Sequence, residues 1–170
     1  MRPGGVIAFV TSHYTMDKQS PDVRKYIAQR AELLGAIRLP NNAFKANAGT
    51  EVVSDIIFLQ KRDRPVEIEP DWVHLGKNDD GFAINQYFID NPEMVLGRQT
   101  SESTQYGRQD FTVEPYEDLD LGVQLKQHRP RKKRSASLSE NIQRVIDLET
   151  VRARDKGIAY ERWATNFNSK

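Results

Sequence analysis

Cysteine is absent from the 170-residue chain. With it go disulfide scaffolds, thiol nucleophiles and every zinc site built on thiolates. Long apolar runs are missing as well. No stretch approaches the roughly 20 residues a membrane-spanning helix needs, and Val6–Val10 is too short for the core of a secretion signal. The expectation is a soluble, cytoplasmic protein with no membrane partner. Nor is there a phosphate-binding Gly-x-x-x-x-Gly-Lys loop or a Gly-x-Ser-x-Gly nucleophile elbow, and His13, His74 and His128 lie too far apart for a local metal motif. No metal ligand is expected. Apolar residues make up 38% and mean hydropathy is −0.69, below the roughly 45–50% apolar usage of compact domains. Part of the chain is therefore expected to lie outside a packed core.

Charge is present in quantity but unevenly spread. The net value of +1 hides +3 over residues 1–63, −9 over 64–120 and +7 over 121–170. Such a chain presents unlike surfaces to a polyanion, and its near-neutral total excludes nothing.

Apolar residues concentrate early. Val6–Val10 is a short continuous run after the turn signal Pro3-Gly4-Gly5, as expected of a strand buried on both faces of a parallel sheet. Ser20-Pro21 is a helix-start signal, and Val23, Ile27, Ala31 and Leu34 follow at helical spacing, with Gly35 as the expected C-cap. Ala36–Leu39 reads as a second strand and Val52–Leu59 as a third. The resulting order is strand, helix, strand, loop, strand.

Beyond residue 63 the pattern weakens. Over 63–120 acids, prolines and glycines interrupt each apolar stretch, giving an acidic, mostly irregular connector. Short strands are expected near Trp72–Leu75 and Phe82–Ile84, turned by Asn78–Gly81, and one helical turn over Asn91–Gly97; residues 98–118 read as loop. Residues 121–136 form a basic linker. In 137–170, Ser137 and Glu140 stand at capping-box spacing ahead of Leu138, Ile142, Val145 and Ile146, an apolar helical stripe that suits a partner or neighbouring domain. Trp72 and Trp163 are expected to anchor small apolar cores rather than to stack on bases.

Three blocks together carry a resemblance: Arg2–Ser12, Leu33–Phe44 and Gly49–Arg62. In this order they resemble the C-terminal half of an adenine-specific DNA methyltransferase catalytic domain. The pattern is similar to the modification subunits of type I restriction systems and to methyltransferase modules fused to Swi/Snf-type helicases in phage or plasmid proteins. The resemblance covers residues 1–62. It implies an α/β fold, strands five to seven of a class I S-adenosylmethionine-dependent methyltransferase sheet: Val6–Thr11 as the fifth strand, residues 21–34 as its crossover helix, Ala36–Leu39 as the sixth and Val53–Gln60 as the antiparallel seventh. The glycine-rich cofactor turn and the Asn-Pro-Pro-Tyr-like motif of that family have no counterpart here and would lie upstream. S-adenosylmethionine is thus implied for the complete enzyme and not for this chain alone, which is expected to be inactive and to have no catalytic residues of its own. The implied partners are DNA and the missing N-terminal half or a helicase domain.

The resemblance also places the loop 40–50 on the substrate face. Phe44 matches an aromatic that packs against a flipped base, with Asn41, Asn42, Lys45 and Thr50 positioned to hold the base or reach phosphate. The opposing reading has Phe44 plugging the sheet and the asparagines turning the chain. Lys126, Arg129, Arg131, Lys132, Lys133 and Arg134 form a second candidate, a cationic run able to contact DNA phosphates without reading sequence, or else a solvated linker. The competing functional class is a non-catalytic DNA-binding or adaptor protein that uses this arm. In either case Val6–Val10 is expected to leave an open sheet edge.

Overall fold

The computed structural model describes residues 2–45, 49, 51–103 and 109–127. Its centre is a three-stranded sheet of β1 (Val6–Ser12), β2 (Ala31–Leu39) and β3 (Ser54–Lys61), in the order β1-β3-β2. β3 pairs antiparallel with both neighbours, so β1 and β2 run in the same direction on either side of it. Two parallel strands need a crossover between them. Here α2 (Asp22–Arg30) supplies it, after the single turn α1 (Tyr14–Asp17). The antiparallel third strand needs only the loop from Pro40 to Val53.

The local boundaries differ from the sequence expectation. α2 ends at Arg30 and passes straight into β2 at Ala31, so the helix does not reach Leu34 and Gly35 does not cap it. Gly35 instead follows a β-bulge in which Leu34 is the extra residue between the pairs Leu33↔Leu59 and Gly35↔Phe58. Arg24 and Ala28 form the buried face of α2, while Val23 is exposed. The strands also differ in burial. β3 is buried continuously from Ser54 to Leu59, as befits a central strand, and β2 from Leu34 onward. β1 is not buried on both faces: Val6 and Ile7 are 37% and 43% exposed because β1 is an edge. The far edge is engaged near the end of β2, where Arg38 forms a parallel bridge with Val95 and its carbonyl accepts from Leu96 N at 2.9 Å.

The acidic segment is not an irregular connector over its described residues. β4 (Leu75–Lys77) and β5 (Ala83–Asn85) form the expected hairpin, turning at Asn78–Gly81, where Gly81 takes φ +84° and Asn78 Oδ1 accepts from Phe82 N at 2.8 Å. Trp72 and Val73 lie in a 3-10 turn ahead of it, and Trp72 packs against the core as expected. α3 (Gln86–Asp90) follows, started by the Asn85 side chain accepting from Tyr87 N. The helical turn in 91–97 is present at Pro92–Met94.

Residues 98–118, expected as loop, contain a second hairpin of β6 (Arg98–Ser103) and β7 (Gln109–Glu114). Phe111 and Val113 point inward from β7 at a spacing of two, and two residues are too few to establish a period in sequence. Ile84, Phe88, Met94, Val95, Leu96, Phe111 and Val113 share one apolar core with the central sheet. A last helix, α4 (Leu121–Gln127), buries Leu125 where a basic linker was expected. The helix expected in 137–170, together with Trp163, lies outside the described residues. The described body is thus a mixed α/β fold of small antiparallel sheets. No helix among the described residues is long and apolar enough to cross a membrane.

Candidate functional site

Charges inside buried strands must find partners, because an uncompensated ion in an apolar interior costs several kcal/mol. β2 and β3 each carry one such charge. Arg38 and Asp55 are both fully buried and directly opposed in register. The guanidinium grips the carboxylate with two parallel bonds, Nε to Oδ1 and Nη2 to Oδ2, each 2.8 Å. Its Nη1 lies 2.8 Å from Asp17 Oδ2 at the end of α1. His13 Nδ1 is 3.1 Å from the same oxygen, and Asp17 Oδ1 accepts from Asn85 N at 2.9 Å. Rings close the cluster, with the Arg38 guanidinium 4.2 Å from the Phe88 centroid and 5.5 Å from that of Phe111.

This chain of groups gathers at the ends where β1 and β2 finish and β3 begins. Burial alone would strip charge from each member, and the partners decide the outcome. For Arg38 burial lowers the pKa, but Asp55 and Asp17 more than offset it and hold the cation above its usual range. For Asp17 burial raises the pKa, but the bonds from His13, Arg38 and the Asn85 amide overcome this and leave it below the usual carboxylate range. For Asp55 complete burial dominates and pushes the carboxyl up despite Arg38. Asp17, kept ionised, is thus the acceptor that His13 Nδ1 faces at 3.1 Å. Tyr14 stacks at 4.1 Å on His13, and its hydroxyl donates to Asp110 Oδ2 at 3.1 Å; burial and that carboxylate raise its pKa.

The depressed Asp17 has a measurable consequence. A carboxyl whose folded pKa lies below its unfolded value of about 3.9 stabilises the fold above that pH and loses the contribution as pH falls through the folded pKa. Asp17→Asn is expected to cost about 1–3 kcal/mol at pH 7, in the range of bonds to charged groups. Urea unfolding at pH 7, 4 and 3 checks the sign: the gap between wild type and variant narrows below pH 4. A gap as wide at pH 3 as at pH 7 contradicts this.

The loop 40–50 sits beside the cluster. Asn41 donates from Nδ2 to Thr112 Oγ1 at 3.1 Å, tying the 3-10 turn Asn41–Phe44 to β7. Asn42 is exposed, and exposed Lys45 pairs with Glu51. Phe44 is buried in the shared core, so its ring is packing rather than a surface offered to a base. An apolar ring placed one turn beyond a buried strand end falls under the sheet. The structure thus brings Asn41, Asn42, Phe44 and Lys45 to one place, and Thr50 lies outside the described residues. Of the cationic run, Lys126 is exposed at the end of α4, and Arg129, Arg131, Lys132, Lys133 and Arg134 lie outside the described residues.

His13, Asp17, Arg38 and Asp55 were not among the sequence candidates. The available signal was a charge set inside each of two apolar runs, Ala36–Leu39 and Val52–Leu59, which demands an opposite partner across the sheet. Among the described residues no group of three His, Cys, Asp or Glu side chains is placed to hold a metal ion. Comparison with protein-family models, with curated proteins and with solved structures finds no match.

Proposed function

We propose that the chain supplies the last part of a DNA adenine methyltransferase catalytic domain, in which methyl transfer from S-adenosylmethionine to the adenine amino group depends on motifs carried elsewhere. The observation that carries this reading is the arrangement of β1, α2, β2 and β3: a parallel pair joined by a crossover helix, with an antiparallel strand after the second. Three blocks of resemblance fall on those elements in the same order. Two further features support it. β1 leaves an apolar edge open where a larger sheet would continue, and the polar loop with Asn41, Asn42 and Lys45 stands at the ends of β1 and β2, the side on which open α/β sheets bind ligands. In this reading Asn42 and Lys45 face DNA, while Phe44 and Asn41 hold the loop in place.

The test is reconstitution. The chain is combined with a polypeptide bearing the glycine-rich turn and the Asn-Pro-Pro-Tyr-like tetrapeptide, and labelled methyl transfer to adenine in DNA is measured. Transfer that requires both components supports the reading. No transfer by the pair, or transfer that persists without this chain, overturns it. A second reading, a non-catalytic DNA-binding or adaptor protein, is favoured by one observation: the acidic segment and the central sheet share one core, so the described body has the make-up of a domain in its own right.

A further inference from the structure

The end of the sheet opposite the buried cluster carries a different set of charges. Among the cations of the first 64 residues, Arg24 and Arg38 are buried, Lys25 pairs with Glu69 and Lys45 with Glu51. Arg2, Lys18, Arg30, Lys61, Arg62 and Arg64 form no ion pair among the described residues. All of these except Lys18 lie at one pole, where β1 begins and α2 and β3 end. The backbone fixes this grouping: Gly4 N donates to Lys61 O at 2.9 Å, and Arg62 N donates to Arg30 O at 2.9 Å. Val66 N reaches Gln29 O at 2.9 Å, laying residues 62–66 along the end of α2.

A polar depression of about 450 Å³ opens at this pole, lined by Gly4, Glu32, Lys61, Arg62, Asp63 and Arg64 among others. Arg62 uses Nε on Ala28 O at 3.1 Å, and the Arg30 guanidinium sits over the exposed ring of Tyr26, 3.7 Å from its centroid. Those two contacts satisfy the helix end and an aromatic face. Among the described residues, Lys61 and Arg64 make no such side-chain contact. The lining carries three cations, Lys61, Arg62 and Arg64, against two acids, Glu32 and Asp63, and Arg2 and Arg30 lie next to it.

We propose that this pole is a second nucleic-acid contact, with Lys61 and Arg64 taking backbone phosphates and the Tyr26–Arg30 pair providing a flat cationic face beside them. The chemistry is that of a phosphodiester chain: several spaced single charges suit a polyanion that lies across a surface. The inference rests on the DNA contact that both functional readings share. It adds a site at the end of the central sheet opposite the loop that follows β2.

The experiment uses the full chain and a labelled 20-base-pair duplex, with affinity read by fluorescence anisotropy over a series of salt concentrations. The background variant neutralises the arm, with Arg129, Arg131, Lys132, Lys133 and Arg134 each replaced by Gln. It is expected to keep salt-dependent binding. Adding Lys61→Gln and Arg64→Gln is expected to weaken binding about tenfold and to flatten the log–log salt slope by about 1–2 units, one for each phosphate no longer neutralised. Lys18→Gln serves as the surface control and changes neither. Arg64→Gln alone, at an exposed position, covers the case in which Lys61→Gln disturbs β3, and is expected to remove about one unit of slope.

Unchanged affinity and slope in the Arg64 variant overturn the inference. So does an arm-neutralised chain that no longer binds, which would leave DNA contact to the arm alone. Failure of the unmodified chain to bind overturns the shared DNA reading itself. Inorganic phosphate that competes better than chloride of equal ionic strength shows a free-anion site and overturns the assignment to a backbone.

Discussion

Asp55→Ala is expected to destabilise the fold by about 3–5 kcal/mol, the cost of stranding one partner of a buried pair. Asp55 accepts both parallel bonds of Arg38, and neither residue touches solvent. Removing the carboxylate leaves a fully buried guanidinium facing only Asp17 across a single contact. Against the roughly 5–15 kcal/mol that holds a domain of ordinary stability together, this is a large fraction. Urea unfolding followed by tryptophan fluorescence gives the number, and a loss below about 1 kcal/mol, the scale of an exposed pair, contradicts the geometry. Replacing the pair together, Arg38→Met with Asp55→Leu, should recover only part of the loss. Apolar isosteres commonly substitute for a buried ion pair, but Asp17 and His13 would then lose their cation.

Phe88→Ala is the second large effect, expected at about 3–5 kcal/mol for truncating a buried aromatic ring. The ring lies in the middle of α3, 1% exposed, with Tyr87 edge-on at 5.4 Å and the Arg38 guanidinium on its face. Its loss opens a cavity between the acidic segment and the central sheet. If residues 64–120 were a detached connector, the same substitution would leave the unfolding of the sheet untouched. A single cooperative transition moved to lower urea is the expected result, and an unmoved transition opposes the shared core. Both substitutions act on Arg38, so the double variant should fall short of the sum.

What the sequence disclosed, and what it withheld, follows from range. The three apolar runs that become β1, β2 and β3 are local signals and lie within or across the observed strands, although β2 starts at Ala31, five residues before the expected Ala36, and the Asn78–Gly81 turn, whose glycine needs a positive φ, falls where expected. The end of α2 was misplaced because Ala31, Leu33 and Leu34 continue a helical spacing that the pairing with β3 overrides. β6 and β7 are mostly polar, and only their packing on the sheet makes strands of them. The buried cluster depends on register. Nothing in the spacing of 17 between Arg38 and Asp55 shows that they will be neighbours until β2 is laid against β3. Phe44 was visible as a candidate, and its burial was not, since that depends on the core beneath the loop.

The sheet's two edges set a limit on growth. On the β2 side the Arg38–Val95 bridge and the Leu96 amide occupy backbone groups a further strand would use. On the β1 side seven uncharged residues, Val6–Ser12, stand unpaired along their outer edge. The outer edge of β1 is therefore where the central sheet can lengthen, while the β2 edge is already engaged at Arg38.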